Sequence, residues 1–116
     1  MSKEQSTTEL IRTIAKVERT FLGFEDHGIL TAFLHVSYGT GGGGQGIGGF
    51  DLRVRGGRFL ERLLKACGVD SWEQLKGRTF YALAESYGDV VRGVEPLPTE
   101  RGERFIFADL WAEDAS

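Results

Sequence analysis

With a single cysteine, Cys67, in 116 residues, the chain has no means of closing an intramolecular disulfide and no cysteine-rich zinc site. That fits a reducing compartment. Long apolar runs are missing as well: none approaches the roughly 20 residues that span a bilayer, and the opening "MSKEQSTTEL" lacks the apolar stretch of a signal peptide. Neither membrane insertion nor secretion is expected, and a cytoplasmic location follows. Positive charge is in deficit, 14 Lys and Arg against 17 Asp and Glu for a net charge of -3. A chain of that balance has no long-range field to gather nucleic acid, so generic nucleic-acid binding is not expected.

Two enzyme signatures are also absent. No G-x-x-x-x-G-K-[ST] supplies the lysine and hydroxyl of a P-loop, and Ser37 has no G-x-S-x-G elbow around it. Cys67 as a nucleophile would need a histidine beside it, yet it falls on the apolar side of a helical pattern, where cysteine is inert.

What is present is an ordinary folding composition, 41% hydrophobic and 27% charged. The length suits one core and not two. A single domain is expected over residues 9–112, between a disordered N-terminal tail (1–8) and a short C-terminal tail (113–116). "TELIRTIAKVERTFL" fits both periods, and a short helical start passing into a strand near Thr13 is expected. "GILTAFLHVSY" alternates strongly, with Leu30, Ala32, Leu34, Val36 and Tyr38 as its core face. "FEDHG" before it is then a hairpin turn in which Asp26 caps backbone amides and His27 bonds across. "FDLRVR" sets Phe50, Leu52 and Val54 against Asp51, Arg53 and Arg55, the pattern of a third strand. "RFLERLLKACG" switches to the helical period through Phe59, Leu60, Leu63, Leu64 and Cys67, with Gly68 as its left-handed stop. Ser71 and Gln74 have capping-box spacing for a single turn that tucks in Trp72 and Leu75. "RTFYALAES", "DVVRGVEPL" and "ERFIFADLW" read as further strands. The expected fold class is α+β: an antiparallel sheet of about five to six strands packed on one main helix near 58–67, with a short helical turn near 71–75.

The most unusual stretch is the run of eight glycines between Gly39 and Gly49. It contains two overlapping G-x-G-x-x-G matches, but the dinucleotide fingerprint needs a helix to start where the glycines end, and a strand-like segment follows. A mobile connection or bulged strand is the expectation, one that a partner orders through Gln45, Gly46, Ile47, Gly48 and Gly49. Ile47→Asp is then expected to weaken binding without unfolding the domain.

"LGFEDHGILTAFLHVSYG" followed by "GQGIGGFDL" resembles a group of small uncharacterised proteins of tailed bacteriophages and prophages. The matching positions are Leu22, Gly23, Glu25, Asp26, His27, Gly28, Ile29, Gln45, Gly46, Gly48, Gly49 and Phe50, and "GVDSWEQLKG" looks similar too. The glycine run here is longer and the link from Phe50 to the Arg58 helix shorter. The resemblance implies a phage context in the bacterial host's cytoplasm and carries no secure reaction.

Three functional readings follow. The first is a non-enzymatic binding protein acting on a host or defence-system protein, with no cofactor and no metal. The second is a glycine-loop binder of a phosphate-bearing small molecule, in which Arg53, Arg55, Arg58 and Arg62, with Lys65, form a basic strip. The third is acid–base or metal-assisted hydrolysis by Asp26, His27 and His35. The late aromatic strand ending at "FADLW" is an edge through which a homodimer is expected to form.

Overall fold

The computed structural model describes residues 10–39, 44–53 and 55–110; the expected tails at 1–8 and 113–116 lie outside them. The class is α+β. One antiparallel sheet has six strands: β1 (Ile11–Phe24), β2 (Leu30–Tyr38), β3 (Gly44–Asp51), β4 (Thr79–Ala84), β5 (Gly93–Glu95) and β6 (Phe105–Ile106), in the order β3-β2-β1-β4-β5-β6. Helix α1 (Gly56–Cys67) and a 3₁₀ turn (Trp72–Gln74) complete it. No helix among the described residues is long and apolar enough to cross a membrane.

β1 organises the sheet because it pairs on both sides. Its first half, Ile11 to Lys16, runs against Ala84 to Thr79 of β4, and Ala15 to Phe24 runs against Tyr38 to Leu30 of β2. Within the described residues the expected helical start is strand: Ile11 and Arg12 are already in register with Ala84 and Leu83, so pairing with β4 overrides a pattern that also fitted a helix. A bulge at Glu18 separates Val17, opposite Val36, from Arg19, opposite His35. It moves the following side chains to the other face. Thr20, Leu22 and Phe24 therefore share the face of Leu34, Ala32 and Leu30, while Phe21 stands opposite Phe33 on the outer face.

The core lies between the inner sheet face and α1. Ala32, Leu34, Val36 and Tyr38 are buried as the alternation of β2 predicts, with Ala15 and Val17 beside them. From the helix come Phe59, Leu63, Ala66 and Cys67; Phe80, Val94 and Phe105 arrive from the later strands. Three rings interlock at one end, Phe59, Phe105 and Phe107, with centroids 5.2 to 6.1 Å apart. Such tilted and edge-on contacts suit the ring quadrupoles.

The helix stops as expected. Gly68 takes φ 70° and ψ 31°, with Val69 N donating to Leu64 O at 3.1 Å and Gly68 N to Lys65 O at 3.2 Å, the paired bonds of a Schellman ending. A Cβ on Gly68 would come within 2.6 Å of Arg101 O, so glycine is required for space and for φ. Arg78 closes the same end, its Nε donating to Cys67 O at 2.8 Å while its guanidinium meets Glu100 at 2.7 Å. At 71–75 the expected single turn is present as 3₁₀, but Ser71 makes no side-chain cap; Gln74 instead accepts from Asp70 N at 2.7 Å. Leu75 is fully buried beneath it.

Two expected strands are corrected. "FDLRVR" is strand only through Phe50 and Asp51: β3 ends at Asp51, whose carboxylate accepts from Arg53 N at 2.9 Å and folds the chain into an Asx turn. Most of β3 is drawn from the glycine run before it. Among the described residues "ERFIFADLW" contributes only Phe105 and Ile106 to the sheet, and residues 107–110 are helical, which leaves no long aromatic edge among them.

Because Ile47 is 3% exposed, opposite Leu34 and lining one contact region with Phe59, Leu63 and Trp72, Ile47→Asp is now expected to unfold the domain. Ile47→Ala should cost about 2–5 kcal/mol by the cavity rule. Arg78→Ala, which orphans carbonyls at the helix end, should cost about 1–3 kcal/mol. Chemical denaturation monitored by circular dichroism checks both.

Candidate functional site: the projecting end of the β1–β2 hairpin

The free end of the hairpin is shaped by where β4 begins. Gly77, at φ 87°, turns the chain so that Gly77 N donates to Val17 O at 2.8 Å and Val17 N to Arg78 O at 2.9 Å. Beyond Val17, no described residue pairs with that side of β1. The β1 ribbon from Arg19 to Phe24 is therefore open on that side, and both of its faces carry apolar side chains into solvent, while Thr31 and Ala32 opposite it stay buried. Phe21 is 44% exposed on the outer face; Leu22 and Phe24 are 42% and 71% exposed on the other. The Phe21 ring leans along its own strand, its Cζ 3.3 Å from where Gly23 would carry a Cβ.

Glu25, and not Asp26, closes the turn. Its carboxylate accepts from the backbone N–H groups of His27 and Ile29, while Glu25 N donates to Ile29 O and Gly28 N to Glu25 O. Gly28 at φ 81° supplies the left-handed step. His27 is not bonded across the hairpin: its imidazole is 85% exposed, 3.6 Å from the Glu25 carboxylate. Two shallow hollows flank this end. One, of about 300 Å³, is lined by Phe21, Glu25, Thr31 and Phe33; the other, of about 480 Å³, by Phe21, Phe24, Glu25, Asp26 and His27. The rim is thus acidic and the surface aromatic.

The hydrolase constellation does not assemble. His35 is mid-strand, opposite Arg19 and Gly46. It stands five residues from the hairpin's last pair at Leu30, roughly 17 Å at strand rise, whereas Asp26 and His27 are in the turn. No group of three His, Cys, Asp or Glu among the described residues could hold a metal ion. Cys67 is buried, and burial pushes its thiol up to about 12 against a smaller lowering by Arg78.

The glycine run is largely strand. Over β3, Gly44, Gly46 and Gly48 stand opposite Ser37, His35 and Phe33, and Gly49 is the extra residue of a bulge between the pairs Phe33–Gly48 and Ala32–Phe50. Residues 40–43 and the Gln45 side chain lie outside the described positions. Backbone pairing to β2 holds Gly44 to Asp51 extended in the sheet. The basic strip stays at the surface, with several of its charges already engaged: Arg53 binds Asp51 at 2.7 Å, Lys65 meets Glu61 at 3.5 Å, and the Arg62 guanidinium lies 5.8 Å from the Phe105 ring centre. Arg55 takes φ 60° as the residue before α1, and Arg58 is exposed on the helix's first turn. Sequence reasoning missed Phe21 and Phe24, whose exposure depends on the Glu18 bulge and the late start of β4. Neither has a local signature.

No known family, curated protein or solved structure matches this chain.

The Arg53 guanidinium lowers the Asp51 carboxyl to about 2 from 3.8, first through its side-chain hydrogen bonds. A depressed carboxyl favours the fold above its unfolded value, and that contribution is lost as pH falls from 3.8 through about 2. An NMR carboxyl titration should place the Asp51 midpoint near 2, and Arg53→Ala should return it toward 3.8; an unshifted midpoint in the parent protein contradicts the pairing.

Proposed function

We propose that this chain is a small non-enzymatic binding protein that engages another protein through the projecting end of its β1–β2 hairpin. The observation carrying this reading is the exposure of large apolar side chains on both faces of one ribbon, Phe21 on one side and Leu22 and Phe24 on the other. Clustered exposed apolar surface marks interaction sites, whereas single exposed residues need no explanation. Aromatic anchors dominate binding energy when a partner desolvates them. Glu25, Asp26 and the aromatic rings together suit an apolar groove rimmed with Lys or Arg. A phage or prophage context, with a host or defence-system protein of the bacterial cytoplasm as partner, rests on the sequence resemblance. The positions that carry it fall mostly in the hairpin turn and in β3, whose end at Asp51 pairs with Thr31 next to that turn.

The test is capture from bacterial lysate with the tagged chain and two variants. Phe24→Asp and Phe21→Ser should each reduce recovery of the partner protein about tenfold or more, as expected of an interface anchor. Their melting temperatures should stay within a few degrees of the parent, since both side chains are exposed. Equal recovery by all three proteins contradicts a hairpin site. Recovery of a phosphate-bearing metabolite and no protein contradicts the protein-binding reading and selects small-molecule sequestration.

A further inference from the structure

β3 ends the sheet, and among the described residues no strand lies on its far side. Proteins guard such edges with charge, proline, early bulges or a covering element. This one has none of the first three before the bulge at Gly49, and its first charged residue is Asp51 at the end of the strand. The outer face of β3 is made of Gly44, Gly46 and Gly48, since their partners Ser37, His35 and Phe33 lie on the outer face of β2. Over this face leans the Phe33 ring. A Cβ placed on Gly46 would be 2.4 Å from Phe33 Cζ, so the ring occupies the space that a side chain on the neighbouring strand would take and reaches toward the open edge.

We propose that two copies of the chain pair antiparallel along β3, about a two-fold axis at Gly46, to continue one sheet through both molecules. Three observations favour a second copy over a foreign strand. First, the sequence from Gly28 to Phe50 contains no Asp, Glu, Lys or Arg, so two chains of equal charge meet here without like charges in the paired strands; β6 is preceded by Glu103 and Arg104, and the open side of β1 carries Glu18 and Arg19. Second, a register centred on Gly46 sets Gly46 against Gly46 and Gly44 against Gly48, so no outer-face side chains collide and the contact is self-complementary, as a two-fold interface requires. Third, directly opposed Cβ positions in antiparallel strands are about 4.5–5.5 Å apart. Phe33 Cζ already stands near the Gly46 Cβ position, so the rings of the two copies meet at the axis at aromatic contact distance. The glycines then admit the ring, and the paired rings shield the glycine backbone from water.

Sedimentation equilibrium of the full chain should give twice the chain mass of 12.8 kDa at micromolar concentration. Gly46→Lys, which opposes two ammonium groups at the axis and displaces the ring, should raise the dimer dissociation constant about tenfold or more. Gly46→Cys tests the register independently: Cα atoms opposed at about 4.5–5.5 Å are within disulfide range, so mild oxidation should give a covalent dimer. The buried Cys67 stays out of that reaction, and Asp26→Cys at the hairpin turn should give no cross-link. A mass of 12.8 kDa at every concentration overturns the proposal. So does a dimer unaffected by Gly46→Lys, or cross-linking through Asp26→Cys as fast as through Gly46→Cys. The hairpin reading is tested separately, because Phe24→Asp should leave the dimer intact.

Discussion

The structure depends on one strand serving two partners that do not overlap in extent. β1 is held by β4 up to Lys16 and by β2 from Ala15 onward. Only the short stretch around Ala15 to Val17 is central, and there the two residues with core-facing side chains, Ala15 and Val17, are almost completely buried. On one side of that stretch the sheet continues through β4 to β6; on the other, β1 runs on beside β2 and β3 with its own far edge open. The offset explains how a chain of this size maintains a closed core while exposing Phe21, Leu22 and Phe24. The exposure is a consequence of register, enforced by the bulge at Glu18 and the turn at Gly77.

Packing against α1 decides which positions of that ribbon are bound to the core. Ile47 and Leu34 lie under the helix with Phe59, Leu63 and Trp72, so the β3 side of the sheet is anchored through its inner face even though its outer face is bare glycine. A strand of glycines has little intrinsic preference for extended backbone. Here the hydrogen-bond ladder to β2, one fully buried isoleucine and an aromatic ring over Gly46 provide what the residues themselves do not.

Features set by short-range pattern were readable from the sequence. The alternation of β2 identified its core face, and the period of α1 with Gly68 behind it located the helix and its end. The features that escaped depend on partners distant in sequence. Ile11 to Thr13 become strand because β4 is there to pair with them. The glycines become strand because β2 is. Asp51 ends β3 through a bond to the backbone two residues on, so an alternating "FDLRVR" that satisfied the period of a strand turns after its second residue. The site was half legible: the turn residues Glu25 to Gly28 stood out, but the reason they matter, the aromatic ribbon behind them, follows from a bulge that no local signal announces.

Amide hydrogen exchange followed residue by residue tests the central claim, that a glycine strand locked to β2 and a ribbon open beyond Val17 belong to one register. The β2-facing amides within Gly44–Asp51 should exchange as slowly as those of β2, while amides of Glu18–Phe24 on the open side of β1 exchange far faster than their neighbours bonded to β2. Uniform fast exchange across Gly44–Asp51, or equal protection of alternate amides along Glu18–Phe24, would contradict the account.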